Sequence, residues 1–375
     1  MTTGIDPSAS TLPVAGNVIG TIRKAIFWMH LGAGILAGII ILVMSVTGVL
    51  LTYERQLIER ADGFNLTPGQ QHVGLEKLLE NRKPSAVTLD RDPAKPVALQ
   101  FGKAKTEFYN PHTGELLGEG NKAVRGFFKT MLMWHRWLGR EGASQPVGKA
   151  IIGAGNLMFL FLVVSGIFLW CPKRWTLSGI RLITLFQRRL KGRGRDWNWH
   201  NVLGFWSAIP LLFIVASGVV MSYPWANALV YKLAGEAAPA AGGQASKNTV
   251  SGNLVGIDAA LAPVKAANPA WKTIQLQLPP GKTASFAVSD SHRGRPDRRR
   301  QVTVDLASSQ ILKTEGMEAQ TTGRQARTWL RWVHTGEAGG FAGQTIAGLA
   351  SAAAAVLVWT GLALSWRRFF KRRTA

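Results

Sequence analysis

The stretch IFWMHLGAGILAGIIILVMSVTGVLLT, residues 26–52, runs for 27 residues without a Lys, Arg, Asp or Glu. About 20 apolar residues in a helix cross the hydrocarbon core of a bilayer, so this block is long enough to span one. It exceeds the roughly 7–15 apolar residues of a cleaved leader, and no small-residue cleavage pattern follows it, which predicts a retained helix. Further uncharged blocks lie at 150–172, 197–231 and 338–366. The fold class expected is therefore an α-helical membrane protein. Its four transmembrane helices fall at 26–52, at 150–172, at 197–223 and within 332–366.

That reading changes the meaning of the charge. The chain has 375 residues, 44 Lys+Arg against 21 Asp+Glu and a net charge of +23, a balance that first suggests nucleic acid. Only 17% of residues are charged, however, and the spans explain why. A soluble nucleic-acid binder is excluded. The basic loop 173–196 holds eight Lys/Arg and one acid, and the tail 367–375 five Lys/Arg and none. Together with residues 1–25 these short segments carry +13, while the longer 53–149 and 232–337 carry +4 and +6. The positive-inside rule then places both termini and the 173–196 loop in the cytoplasm and the long segments outside. In a bacterium that means the inner membrane, with the long segments in the periplasm. The single cysteine, Cys171, excludes an intrachain disulfide and a cysteine-based zinc site.

The chain is written twice. His30 precedes Gly48 by 18 residues in SVTGVLLTY, and His200 precedes Gly218 by 18 in VASGVVMSY. The second and fourth spans close alike, with VVSGIFLWCPKR and VWTGLALSWRR. Each half reads as a span, an outer segment, a histidine and a returning span. The outer segments, 53–133 and 224–331, each predict a small α+β domain. The first has a helix over 74–82 and strands in SAVTLD, PVALQF and TEFYN, then a PHTG turn into ELLG. The second has a helix over 256–267 and strands in WKTIQLQL, ASFAVSD, RQVTVDL and QILK. Residues 235–252, small and polar, predict a flexible linker. Residues 134–149 are expected to form an outer helix carrying His135.

Of seven histidines, His72, His112 and His292 fall in polar outer segments and read as solvated surface residues. His30, His135, His200 and His334 lie within or beside the spans, where an ionisable group is costly and marks function. Topology pairs His30 with His200 near the cytoplasmic face, and His135 with His334 near the outer face. The 18 residues between each histidine and its glycine cover about 27 Å, most of the core thickness. Small residues stand four positions after each histidine, at Gly34, Gly139, Gly204 and Ala338. On a helix this clears the face beside the ring for a flat ligand. Two neutral imidazoles per site suit a six-coordinate heme iron. Zinc would want more ligands, which these spans lack; copper is the alternative that composition leaves standing. The absence of C-x-x-C-H makes the expected cofactors two b-type hemes. Trp28, Trp134, Trp137, Trp199 and Trp332 beside the histidines either pack on a porphyrin or form an interfacial belt.

With those residues in view, the chain resembles the PepSY-associated transmembrane family. The carriers are YNPHTGELLG (109–118) with its weaker echo VDLASSQILK (304–313), WHRWLG (134–139), WVHTGEAGG (332–340) and the Ser/Thr-Gly pairs closing each span. Some members resemble ferrisiderophore reductases. The resemblance implies PepSY-like periplasmic domains and a heme-dependent ferric-chelate reductase. Its metal and cofactor ligands would be His30, His135, His200 and His334, and its substrate a ferric siderophore or other ferric chelate. The second outer segment departs from the pattern, with ASSQ where the first has PHTG. No nicotinamide or flavin domain is expected, because GAG at 32–34 and 153–155 lies inside spans, not after a strand. Electrons would come from a quinol or a cytoplasmic reductase. Membrane lipid is the remaining partner. The basic run RGRPDRRR (293–300) is either a solvated loop or an attractor for an anionic chelate. The rival readings are a heme-free membrane scaffold that binds a periplasmic partner, and a chelate permease. Four uncharged spans make a poor polar pathway, which weighs against the permease.

Overall fold

A computed structural model describes residues 15–67, 69, 72–102, 105–172, 175–239, 254–291 and 295–370. In chain order the first elements are α1 (Ala15–Leu51), α2 (Glu54–Asp62) and α3 (Leu75–Leu79). Four strands follow: β1 (Ala86–Asp90), β2 (Val97–Phe101), β3 (Lys105–Tyr109) and β4 (Leu116–Gly118). Next come α4 (Lys122–Trp137), α5 (Gln145–Trp170), α6 (Leu177–Thr184) and α7 (Gly192–Ser222). After α8 (Pro224–Leu233) and α9 (Ile257–Ala267) come β5 (Thr273–Gln277), β6 (Thr283–Ser289), β7 (Arg299–Asp305) and β8 (Ile311–Glu315). The described chain closes with α10 (Thr322–His334) and α11 (Gly340–Phe370).

Four helical stretches are long and apolar enough to cross a membrane: Gly20–Leu51, Gly142–Trp170, Gly192–Ser222 and Glu337–Phe370. They correspond to the four uncharged blocks, and the chain is a multi-pass membrane protein. A helix satisfies its backbone internally, the requirement hydrocarbon imposes. By contact the chain divides into two compact units. The first comprises Met1–Val46, Ala154–Val215 and Ala350–Ala375, and the second Thr47–Gly153 and Ala216–Leu349.

The first unit is a helix bundle. Val163, Leu211, Val215, Ala350 and Ala354 are buried together in it. At Gly155 the backbone of α5 comes so near Ile40 that an added Cβ would stand 2.6 Å from Cγ2 of that side chain. Here glycine sets the spacing between α1 and α5. Asp196 is buried at the start of α7 and is held by Arg195 at 2.9 Å and by Arg367 of α11. A buried carboxylate with two guanidinium partners escapes most of the cost of lost solvation.

The second unit holds the strands, and here the structure corrects the expected domains. The two outer segments do not close as separate α+β domains. Their strands join in one eight-stranded antiparallel sheet of order β4-β3-β2-β1-β5-β6-β7-β8. The seam is the β1–β5 pair, where Val87 faces Leu276 and Leu89 faces Ile274, all four buried. A lone four-stranded meander would leave one edge of its first strand unpaired, and joining the halves pairs the free edges of β1 and β5 with each other. Alternation along β6 and β7 buries Ala284, Phe286, Val288, Val302 and Val304. That face packs against Leu75, Leu78 and Leu79 of α3 and Ile257, Leu261 and Val264 of α9.

The same two helices cap each other. Asp258 accepts hydrogen bonds from the backbone N–H groups of Leu75 (2.7 Å) and Glu76 (3.1 Å). Glu76 accepts from those of Gly256 (2.8 Å) and Asp258 (3.3 Å). Each first-turn carboxylate thus satisfies the unpaired N–H groups of the other helix. The first helix is shorter than the predicted 74–82, because the chain leaves it before Asn81 adopts a left-handed conformation (φ 60°). The expected linker falls largely on residues 240–252, which lie outside the described residues.

Candidate functional site

Each of the four membrane histidines offers Nδ1 to a hydroxyl on another helix. In the first unit, His30 Nδ1 lies 2.8 Å from Ser165 Oγ, and His200 Nδ1 lies 3.0 Å from Thr360 Oγ1. In the second, His135 Nδ1 lies 2.9 Å from Thr47 Oγ1, and His334 Nδ1 lies 3.1 Å from Ser217 Oγ. These four hydroxyls belong to the four Ser/Thr-Gly pairs: Ser165-Gly166, Thr360-Gly361, Thr47-Gly48 and Ser217-Gly218.

The hydroxyl proton has a place of its own. Ser165 donates to the Phe161 carbonyl at 2.6 Å and Thr360 to the Val356 carbonyl at 2.8 Å, both one turn back. Each oxygen is then left as an acceptor, so the imidazole carries its proton on Nδ1. Nε2 keeps its lone pair, the form in which an imidazole binds a metal. The glycine after each hydroxyl has a matching purpose. An added Cβ would stand 3.5 Å from Cε1 of His30 at Gly166, and 3.4 Å from Cε1 of His200 at Gly361. One helix turn therefore both anchors the ring and makes room for its edge.

Each expected pair falls within one unit, His30 and His200 in the first, His135 and His334 in the second. In the second, the His135 and His334 ring centroids are 6.4 Å apart with planes inclined by 64°. A metal–imidazole bond is about 2.0–2.1 Å, so two imidazoles facing one ion place their centroids roughly 6 Å apart. Among the described residues no group of three or more His, Cys, Asp or Glu is placed to share an ion. Donor sets of two imidazoles each fit heme better than a closed zinc site, because a porphyrin brings its own four nitrogens.

The backbone settings differ between the units. His30 and His200 sit inside continuous helices, and the clearance expected four residues later is present. An added Cβ would meet only Leu162 at 3.8 Å from Gly34, and only Leu357 at 3.9 Å from Gly204. For His135 and His334 that expectation fails, because the helix ends first. Leu138 (φ 53°) and Gly139 (φ 69°) turn the chain away after α4, and Gly336 (φ 73°) turns it after α10. Gly139 and Ala338 therefore lie beyond the helical faces that carry the histidines. For the same reason 134–149 is not one helix: His135 belongs to α4, which begins at Lys122, and α5 starts afresh at Gln145.

Four of the five tryptophans beside the histidines carry an arginine over the ring. Arg368 lies 4.9 Å from the Trp28 centroid, Arg136 4.5 Å from Trp137, Arg195 5.6 Å from Trp199 and Arg331 5.6 Å from Trp332. Trp28, Trp134 and Trp199 are also exposed. This is the dress of an interfacial belt rather than of porphyrin packing.

His72 and His112 meet edge to face at 4.7 Å, and His292 lies outside the described residues. Burial, with His112 and Lys265 nearby, pushes the His72 imidazole below its usual range. In the basic run 293–300, Arg295 pairs with Asp297 at 2.8 Å and Arg298 approaches Asp290 at 3.9 Å, so part of its charge is spent internally.

The family model for the PepSY-associated TM region matches residues 27–368. The chain belongs to that family. The match takes in all four histidine–hydroxyl pairs and every strand of the sheet. Among curated proteins none matches the chain. The hydroxyl partners are not legible in the sequence alone. The Ser/Thr-Gly pairs were visible as a recurring motif, but which histidine each one meets depends on how the spans pack.

Proposed function

We propose that this protein is an inner-membrane di-heme b-type electron-transfer protein, a heme-dependent ferric-chelate reductase. It would deliver electrons to a ferric siderophore on the periplasmic side and so release iron for uptake. The observation that carries this reading is the fourfold histidine–hydroxyl arrangement, which engages Nδ1 of all four rings, two rings to each unit. His30 and His200 would hold one heme, and His135 and His334 the other. Bound there, heme supplies one-electron chemistry between Fe(III) and Fe(II).

The chain's own residues do the rest. Ser165, Thr360, Thr47 and Ser217 fix ring rotation and tautomer, and the apolar spans keep water from the imidazoles. Both termini and the 173–196 loop lie in the cytoplasm in this scheme, by their positive charge. The donor is a quinol or a cytoplasmic reductase. A ferric chelate gives up its metal on reduction because hard oxygen ligands hold Fe(III) far better than Fe(II).

The test is spectroscopic first. Full-length protein from heme-replete cells should carry about two low-spin b hemes per chain, and His30→Ala or His200→Ala about one. His135→Ala or His334→Ala should likewise leave one heme and abolish ferric-chelate reduction, with helical content unchanged by circular dichroism. Colourless wild-type protein would sink the proposal and leave the membrane scaffold.

A further inference from the structure

The loop between α5 and α7 holds a cluster of cations that no acid among the described residues neutralises. Arg181, Arg188, Arg189, Lys191 and Arg193 fall within 13 residues, with no acid among them. None of the five has an ion-pair partner among the described residues. The nearest acid, Asp196, is buried and already shared by Arg195 and Arg367. The other basic run of the chain behaves differently, since Arg295 and Arg298 find Asp297 and Asp290.

The unneutralised cluster borders an apolar hollow of about 340 Å³ lined by Leu182, Leu190, Arg193, Gly194 and Trp197. Both lining leucines have a cation beside them in sequence, Arg181 before Leu182 and Arg189 and Lys191 around Leu190, and Arg193 is on the wall itself. Exposed Trp175, Leu177, Leu185 and Phe186 extend the apolar character along the loop. Stranded cations around an exposed apolar hollow at the end of a membrane span call for a ligand with an anionic head and a hydrocarbon body.

We propose that this hollow is a binding site for an anionic phospholipid. An acyl chain lies against Leu182, Leu190 and Trp197, and the phosphate meets Arg193 with Arg189 or Lys191 beside it. A neutral quinol would use the hollow but leave the charge unanswered. An acidic soluble protein would answer the charge but leave the apolar surface to be covered. Trp197 stands one turn before His200 on the same face of α7, so a seated lipid braces the turn that carries that histidine.

The experiment uses the full chain in detergent, titrated with dioleoylphosphatidylglycerol or with dioleoylphosphatidylcholine and read by native mass spectrometry. One adduct should be retained from the anionic lipid well beyond its zwitterionic match. Arg189→Gln with Arg193→Gln should weaken that adduct roughly tenfold or more, the scale of two basic side chains at an anionic headgroup. Arg299→Gln in β7 should leave it unchanged. Equal retention of the two lipids would overturn the proposal, as would an anionic adduct indifferent to the double substitution. Displacement of the adduct by millimolar inorganic phosphate would also overturn it, by showing a plain anion site. Retained secondary structure in the double variant, checked by circular dichroism, separates lost binding from lost fold.

Discussion

The two histidine pairs reach one donor arrangement from opposite backbone settings. His30 and His200 are carried mid-helix by α1 and α7, each ring edge passing over a glycine of a facing helix, Gly166 or Gly361. His135 and His334 stand in the last turns of α4 and α10, where the chain is about to reverse. After each reversal glycine lets the next span approach: the Trp137 carbonyl lies against Gly148, and the backbones of Gly336 and Gly343 touch. A ring on a long helix inherits the rigidity of the span. A ring at a helix end inherits that of the turn and of whatever precedes it: α4 follows β4, and α10 follows β8 after a short 3-10 turn at Met317–Ala319. The hydroxyl is the constant of the design, and the source of stiffness is the variable.

Removing hydroxyls should expose that difference most strongly. Thr47→Val or Ser217→Ala removes the hydroxyl that meets Nδ1 at the less braced pair. Losing a buried hydrogen bond of this kind costs about 1–3 kcal/mol, measurable as a fall in thermal stability. The spectral signature of axial-ligand rotation should also be larger there than for Ser165→Ala or Thr360→Val, whose rings are confined by the span. Equal spectral change in all four variants would mean that helix continuity adds nothing.

A smaller effect should come from the sheet. Glu76→Ala and Asp258→Ala each remove a helix cap worth about 1 kcal/mol. Because each carboxylate serves the other's helix, the double variant should cost less than the two single losses together. Any spectral consequence should be confined to the His135/His334 pair. A strictly additive double variant would show that the reciprocal caps act independently.

The smallest effect is on pH dependence. His72 titrates below the ordinary 6.5 in the folded chain, through burial first and then its positive neighbours His112 and Lys265. Between that lowered value and 6.5 the unfolded chain binds more protons than the folded one, so stability falls on acidification. His72→Gln should flatten that slope in urea unfolding without altering either histidine pair in the membrane. A change at His135 or His334 would show that the sheet and that pair respond as one.

Much of this was legible in residues alone. Four uncharged blocks in a chain otherwise rich in Lys and Arg are enough for four spans, since hydrocarbon tolerates only self-satisfied backbone. Repeat spacing marked His30, His135, His200 and His334, and alternation marked seven of the eight strands within a residue or two. Those are local signals, carried by the period of a helix or a strand. What the residues left open is what depends on distance along the chain. That β1 pairs with β5, making one sheet from two segments, follows from a register match about 185 residues apart between strands that each look complete alone. That His30 meets Ser165, on another helix, and not Thr47 on its own, follows from span packing, because residues 17 apart on one helix cannot touch. Local periodicity determined the elements and the candidate ligands; only tertiary contact decided which hydroxyl holds which histidine.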